Sequence, residues 1–249
     1  MNPQDIDIIE TNCARPDWTR RCLASVRKYY PDNRLIVVDD HCVDCRVELQ
    51  QAVDRFGAEV IWNEERVGCG RALDVGLQAA RSRYVLLLDH GMTLERPGVI
   101  EFLLSKADEG VVGVGRRGGG SSKCTVTLGP YMSWWLGLWD REYILAHDLS
   151  FRLGHLRFPD GSRVGACTTG QFLCYQVEAM GGRLVYVTKQ LQPFYKHERD
   201  RTSFGRRFPS RHEGIEVREG EIDLEKMRAR AERLRVVEER RKMKRMRQR

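Results

Sequence analysis

The sequence predicts an α/β fold in which a mainly parallel sheet carries helices on both faces. Three observations support this. Short apolar, β-branched runs alternate with stretches of helical period from residue 5 to residue 114. The runs tend to end on a polar group, as at Asp39-Asp40, Asn63 and Asp89. The length, 249 residues with 41% hydrophobic, suits one α/β domain and a sizeable core that needs no disulfide or metal to fold.

The first strand is expected over Asp5 to Ile9. Pro16 suits a first helical turn, and Cys22, Leu23, Val26 and Tyr30 recur at helical spacing until Pro31-Asp32-Asn33 stops the helix. Leu35 to Val38 reads as a buried parallel strand. A helix over Val43 to Phe56, a strand over Glu59 to Trp62, a helix over Gly68 to Ala80 and a strand over Tyr84 to Leu88 follow. Pro97 to Ala107 is a further helix and Val111 to Val114 a fifth strand. Beyond Gly115 the pattern changes. Arg116 to Lys123 is a Gly/Ser/basic loop, Cys124 to Leu128 alternates like an antiparallel strand, and Tyr131 to Trp139 contains three tryptophans. Gly170 to Met180 is helical, and Arg183 to Val187 and Leu191 to Tyr195 read as strands. A long helix is expected from Glu221, with an apolar stripe of Leu224, Met227, Ala231 and Leu234.

The net charge of +7 is unevenly placed. Residues 221–249 hold 12 basic and 6 acidic residues, a net of +6, and the other 220 hold 30 basic and 29 acidic, a net of +1. A nearly neutral globular body with a basic tail excludes a wholly basic, histone-like protein. The density of Val, Leu and aromatic residues excludes a disordered chain. No run reaches the roughly 18 apolar residues of a membrane span, and no signal peptide is visible. Most of the eight cysteines sit in apolar or mixed segments, which reads as reduced thiols of a cytoplasmic protein. Cys42-Val43-Asp44-Cys45 is a lone CxxC, open to a redox disulfide or to a zinc site completed by His41 and Cys13.

In an open parallel sheet the ligand lies beyond the carboxyl ends of the strands. Asn12, Asp39, Asp40, Asn63 and Asp89 collect there. Carboxylates in that place can bind ribose hydroxyls, a base N–H or a metal that carries a diphosphate. Each can also simply cap a helix. Arg66 and Arg71 could neutralise phosphate oxygens. Gly68 and Gly70 would let backbone approach a ligand, or a packed neighbour.

These residues carry a resemblance. Ile6 to Arg116 resembles the nucleotide-binding half of a family-2 glycosyltransferase of the GT-A (Rossmann-like) fold. Asn12-Cys13-Ala14-Arg15-Pro16 is similar to that family's Thr-Tyr-Asn-Arg-Pro loop, and Leu35 to Asp40 to its second-strand ending. Asn63 to Gly68, with Gly70, Ala72, Asp74 and Gly76, resembles its Asn-x-Gly-x-x-x-Ala-x-Asn-x-Gly segment. Val85 to Asp89 resembles the strand leading into its DxD motif. The resemblance implies a domain over 1–220, with a nucleotide-sugar half over 1–116, an acceptor half over 117–220 and a basic tail over 221–249. It implies transfer of a sugar from a nucleoside diphosphate sugar, such as a UDP- or GDP-sugar, to an acceptor hydroxyl, usually with inversion and a divalent metal, Mn or Mg. Asn12, Arg15, Asp39, Asp40, Arg66, Gly68, Arg71 and Asp89 would then form the donor site. Asp89, with His197 as the family's late histidine, would hold metal or diphosphate.

Two departures stand out. The DxD element reads Asp89-His90-Gly91, so His90 would have to replace the second acid as a metal ligand. Where the family places Glu-Asp before a late helix, this chain has Thr169-Gly170, and neither can take the acceptor proton at neutral pH. Asp140, Asp148 and Glu178 are the nearby acids, with Asp148 favoured as base. Trp134, Trp135 and Trp139 would stack on an acceptor if they are not core. The Gly118 to Ser122 loop could be a lid. The tail, with the Arg-rich 199–211 stretch, would suit DNA, including hydroxymethylated bases, or an anionic membrane surface. A glycan or small molecule is the other acceptor class. The competing readings are a non-catalytic nucleotide- or nucleic-acid-binding relative and a nucleotidyltransferase.

Overall fold

The computed structural model describes residues 1–118, 131–152, 154–157, 163–165, 169–198 and 215–216. The expected strand at Cys124–Leu128, most of the 118–122 loop, the 199–211 stretch and the 221–249 tail lie outside the described residues.

A short 3-10 turn at Pro3–Asp5, capped by Asn2, leads into β1 (Asp7–Asn12). Then come α1 (Pro16–Tyr29), β2 (Leu35–Asp39), α2 (Arg46–Arg55), β3 (Glu59–Trp62) and α3 (Cys69–Ala79). β4 (Tyr84–Asp89), β5 (Met92–Leu94), α4 (Val99–Leu104) and β6 (Val111–Arg117) follow. Next are β7 (Met132–Asp140), α5 (Arg141–Ala146), β8 (Gly154–Arg157), β9 (Arg163–Gly165), α6 (Gln171–Ala179) and β10 (Arg183–Tyr186). The described chain ends with α7 (Thr188–Leu191), a 3-10 turn at Gln192–Phe194, β11 (Tyr195–His197) and β12 (Ile215–Glu216).

Seven strands form one sheet in the order β10-β6-β7-β4-β1-β2-β3. Only β7 runs antiparallel to its neighbours, β4 and β6; the other pairings are parallel. The alternation of side chains sorts each apolar run into two layers. Ile8, Val37, Leu86 and Leu88 face one layer with α1, α2 and α4, and Ile9, Val38, Val85 and Leu87 face the other with α3 and α6. Both faces are covered, so the strands read as unbroken hydrophobic runs. Cys22, Leu23 and Val26 are the buried stripe of α1, and each fully buried side chain of this size stabilises by roughly 1.5–3 kcal/mol.

The structure departs from expectation in several places. The tryptophan segment is β7, an inner strand of the sheet. Leu191–Tyr195 is not a strand: Pro193 lies in a 3-10 turn, and pairing starts only at Tyr195, where β11 joins β5 antiparallel. Cys42 and Cys45 are joined as a disulfide, so the thiols are not all reduced; Cys13, Cys22, Cys69 and Cys174 are free. Among the described residues no helix is long and apolar enough to cross a membrane.

Candidate active site

The carboxyl ends of β1, β2, β3 and β4 share one edge of the sheet. Register places Asn12 beside Asp39 and Thr11 beside Asp89. Asp39 is tied into the structure through both of its oxygens. Its Oδ1 accepts from Asn12 Nδ2 at 2.7 Å and its Oδ2 from the Cys42 amide at 2.7 Å. Asn12 Oδ1 accepts from the Arg15 amide, which closes the β1–α1 loop. Asp40 is the carboxylate that meets the cleft. Its Oδ1 accepts from the amides of Val67 and Gly68 at 2.8 and 2.9 Å, and its Oδ2 lies 3.8 Å from Arg66 Nε. Burial raises its pKa, against those amide hydrogen bonds and the Arg66 charge. Gly68 presents its amide from φ 83°, a left-handed conformation that suits glycine.

A cleft of about 990 Å³ opens here, with Cys13, Ala14, Asp40, His41, Cys42 and Arg66 among its walls. Burial pushes the Cys13 thiol up to about 11, which makes it a poor nucleophile at neutral pH. Arg66 Nη2 donates to Cys13 Sγ at 3.3 Å. Arg15 lies over the Trp18 ring at 3.9 Å and pairs with Asp17. Arg71 lies half-buried in the first turn of α3. Gly70 serves packing: a Cβ there would sit 2.6 Å from the Phe151 carbonyl oxygen.

Asp89 ends β4 two strands away from Asp39, about 10 Å at ordinary strand spacing. Its Oδ2 meets His197 Nε2 at 2.8 Å and its Oδ1 meets His90 Nδ1 at 3.2 Å. Burial alone would raise the Asp89 pKa, but the two histidines outweigh it and hold the carboxyl well below the usual range. Burial disfavours the His90 imidazolium, yet Asp89 and, more weakly, Glu10 raise its pKa overall. The β5–β11 ribbon delivers His197, which stacks on Trp135 at 4.3 Å; Arg116 lies over the same indole.

Gly91 has a steric reason. A Cβ would stand 2.6 Å from the Glu198 carbonyl oxygen and 3.2 Å from the Trp18 ring. The backbone of Glu198, just after β11, therefore occupies the space that a second acid would need. His90 Nδ1 faces the Thr11 carbonyl and Asp89 Oδ1, both at 3.2 Å, and the ring packs on Trp18, so Nε2 is the nitrogen left to meet an ion. Among the described residues no group of three or more His, Cys, Asp or Glu side chains is arranged to hold a metal, zinc at the CxxC included. Asp89 with His197 is a two-ligand set, one oxygen and one nitrogen. That suits an ion whose other ligands come from a diphosphate and water.

The acids considered as base lie elsewhere. Asp140 pairs across from Tyr84, at the opposite edge of the sheet, where it accepts from Arg83 and caps α5 through the Tyr143 amide. Asp148 is exposed on the turn after α5, and neither lines the cleft. We expect Asp140→Ala to lower stability by about 1–2 kcal/mol in denaturant titration, as a lost cap does, and to leave sugar transfer unchanged. A tenfold loss of turnover at unchanged stability would refute this placement. Thr169 and Gly170 do open α6, and Gly170 packs on Trp134. Trp139 is fully buried, edge-on to Phe151, and so is core and cannot stack on an acceptor. Trp134 and Trp135 are half-buried on opposite faces of β7.

Sequence reasoning missed the roles of two acids, one part-buried and one buried. Asp74 accepts from the Phe151 amide at 2.9 Å and from Ser150 Oγ, and so anchors that segment to α3. Glu10 lies under the site in β1, 1% exposed. The signal for Glu10 was a lone carboxylate within an otherwise apolar strand.

The profile of glycosyl transferase family 2 matches residues 7–153. A search of curated proteins found no match. Among solved structures, the mannosyltransferase PcManGT from Pyrobaculum calidifontis, in complex with GDP-Man and Mn2+, is similar at 16% identity and a TM-score of 0.57. That match covers 75% of this chain and 56% of the other. S. aureus TarS 1-349, in complex with UDP-GlcNAc, is similar at 15% identity and a TM-score of 0.54, over 78% of this chain and 59% of the other. The chain thus spans little more than half the length of either. The fold shared with these structures is GT-A. The profile match runs over more than half of the sequence and includes the whole polar edge from Asn12 to Asp89, and the chain therefore belongs to glycosyl transferase family 2.

Proposed function

We propose that the protein transfers a hexose from a UDP- or GDP-sugar to an acceptor hydroxyl with inversion at the sugar carbon, dependent on Mn or Mg. The observation that carries this is Asp89, an ionised carboxylate held by two histidines at the sheet edge, beside a cleft that presents Asp40 and Arg66. Asp40 and Arg66 bind the base and ribose end of the donor, and Asn12 and Asp39 support them from below. Asp89 and His197 would hold the metal, which would supply positive charge to the leaving diphosphate. Trp135 fixes the His197 ring by stacking and keeps bulk water from that side. Similar structures carry GDP-Man with Mn2+ and UDP-GlcNAc, which supports a nucleotide-sugar donor.

The glycine at position 91 and the Thr169-Gly170 pair favour one competing reading, a relative that binds a nucleotide without turning it over. A panel of UDP- and GDP-sugars, assayed for nucleoside diphosphate release with Mn²⁺ and with Mg²⁺, separates the two. Release from at least one donor supports transfer; binding without release supports the competing reading. The tail's net charge of +6 further supports a polyanionic acceptor or surface, DNA or anionic membrane. Removing 221–249 is expected to weaken retention on DNA or anionic vesicles in a salt-dependent way, and unchanged retention on both would refute it.

A further inference from the structure

Beneath the candidate donor loop runs a chain of buried polar contacts that the transfer chemistry does not use. Thr19 Oγ1, on α1, lies 2.8 Å from Glu10 Oε1 and 3.1 Å from Asn12 Oδ1. Asn12 continues to Asp39, and Asp39 to the Cys42 amide. The direction of the Asn12 amide is fixed, because its Nδ2 meets a carboxylate oxygen and its Oδ1 meets the Arg15 N–H. Thr19 therefore faces two oxygens with one hydroxyl hydrogen. If Glu10 were ionised, both oxygens would be pure acceptors and one contact would lack a proton. Glu10 Oε2 is also buried with no partner, a costly place for a charge.

We infer that Glu10 is a positioning residue that works as a neutral acid: its carboxyl proton is donated to Thr19 Oγ1, which frees the Thr19 hydroxyl to donate to Asn12 Oδ1 and hold the 12–15 loop in its donor-binding shape. This deepens the donor reading above and rests on it for its functional consequence. Burial raises the Glu10 pKa from 4.5 to about 7, against His90 and the Thr19 hydrogen bond. The other ionisable groups facing it are Asp89 at the end of β4, Asp39 at the end of β2 and the Cys22 thiol on α1. A carboxyl whose pKa is raised on folding contributes its stabilisation fully below the unfolded value of 4.5 and loses it as pH rises through about 7. The loop is therefore held at acid and neutral pH and loosens above it.

The test is amide hydrogen exchange at Arg15 by NMR on the full chain, corrected for intrinsic rates, from about pH 5.5 to about pH 8.5. Wild type is expected to lose roughly tenfold protection across that range, the value of one hydrogen bond. Glu10→Gln, which keeps a donor toward Thr19 at every pH, is expected to stay flat at the acid level. Equal slopes in the two proteins would overturn the inference. If Glu10→Gln does not fold, the ¹³C titration of the wild-type Glu10 carboxyl decides: a midpoint near 4.5 overturns the inference and one near 7 supports it. UDP and GDP are added in a second arm. Affinity is expected to fall roughly tenfold toward alkaline pH in wild type only. Absence of binding at every pH would count against the donor reading, while the exchange result still judges Glu10.

Discussion

Asp89→Asn is expected to lower nucleoside diphosphate release by about 10²- to 10³-fold while the protein stays folded. Asparagine keeps the shape and can still meet His197 and His90, so the loss isolates the charge. In the native protein those two histidines hold the Asp89 carboxyl ionised against the pull of burial. Such a group would hold a cation that neutralises the negative charge of a leaving diphosphate, which a neutral amide would do far less well. Asp89→Ala is a harsher change, because it leaves both histidines without their shared partner and confounds activity with stability. Comparing melts of wild type and Asp89→Asn beside the release assay separates the two effects. Near-native release by Asp89→Asn would remove Asp89 from the chemistry.

Gly70→Val is expected to destabilise the fold by about 3 kcal/mol in urea titration, with no ligand present. Any Cβ at this position would stand 2.6 Å from the Phe151 carbonyl oxygen and 2.9 Å from Arg152 Cα, both backbone atoms that cannot rotate away. The 150–152 segment would have to lift off α3, which would strip Asp74 of its bonds to Ser150 and the Phe151 amide and leave a part-buried acid short of partners. A loss below about 0.5 kcal/mol would show that the segment moves freely, and would reopen the reading of Gly70 as a ligand-approach glycine.

The parallel half of the fold was legible because buried parallel strands announce themselves as apolar runs, and β2, β3 and β4 lie within a residue of expectation. β1 was cut short at Ile9 since a carboxylate inside a buried strand contradicts the pattern, yet Glu10 is the more informative residue for it. β7 was not assigned: three tryptophans, a glycine and a methionine give no strict alternation when both faces are covered. The polar edge was legible as positions. What each residue does there was not, because the sequence cannot show that Asp39 is consumed by Asn12 and the Cys42 amide while Asp40 reaches the cleft. Gly91 reads as a lost ligand in the sequence, but the backbone of Glu198, more than a hundred residues away in the chain, explains it. Asp140 seemed near the site only through its neighbours in sequence; the antiparallel course of β7 carries it to the far edge.

The central claim is that a nucleotide sugar binds with its base end at Asp40 and Arg66 and its diphosphate at Asp89 and His197. A crystal structure of the protein with UDP-GlcNAc or GDP-mannose and Mn²⁺ tests it most directly. The base edge is expected against Asp40, with the diphosphate and metal beside the Asp89–His197 pair. A donor bound elsewhere, or no donor at saturating concentration of either nucleotide, would contradict it.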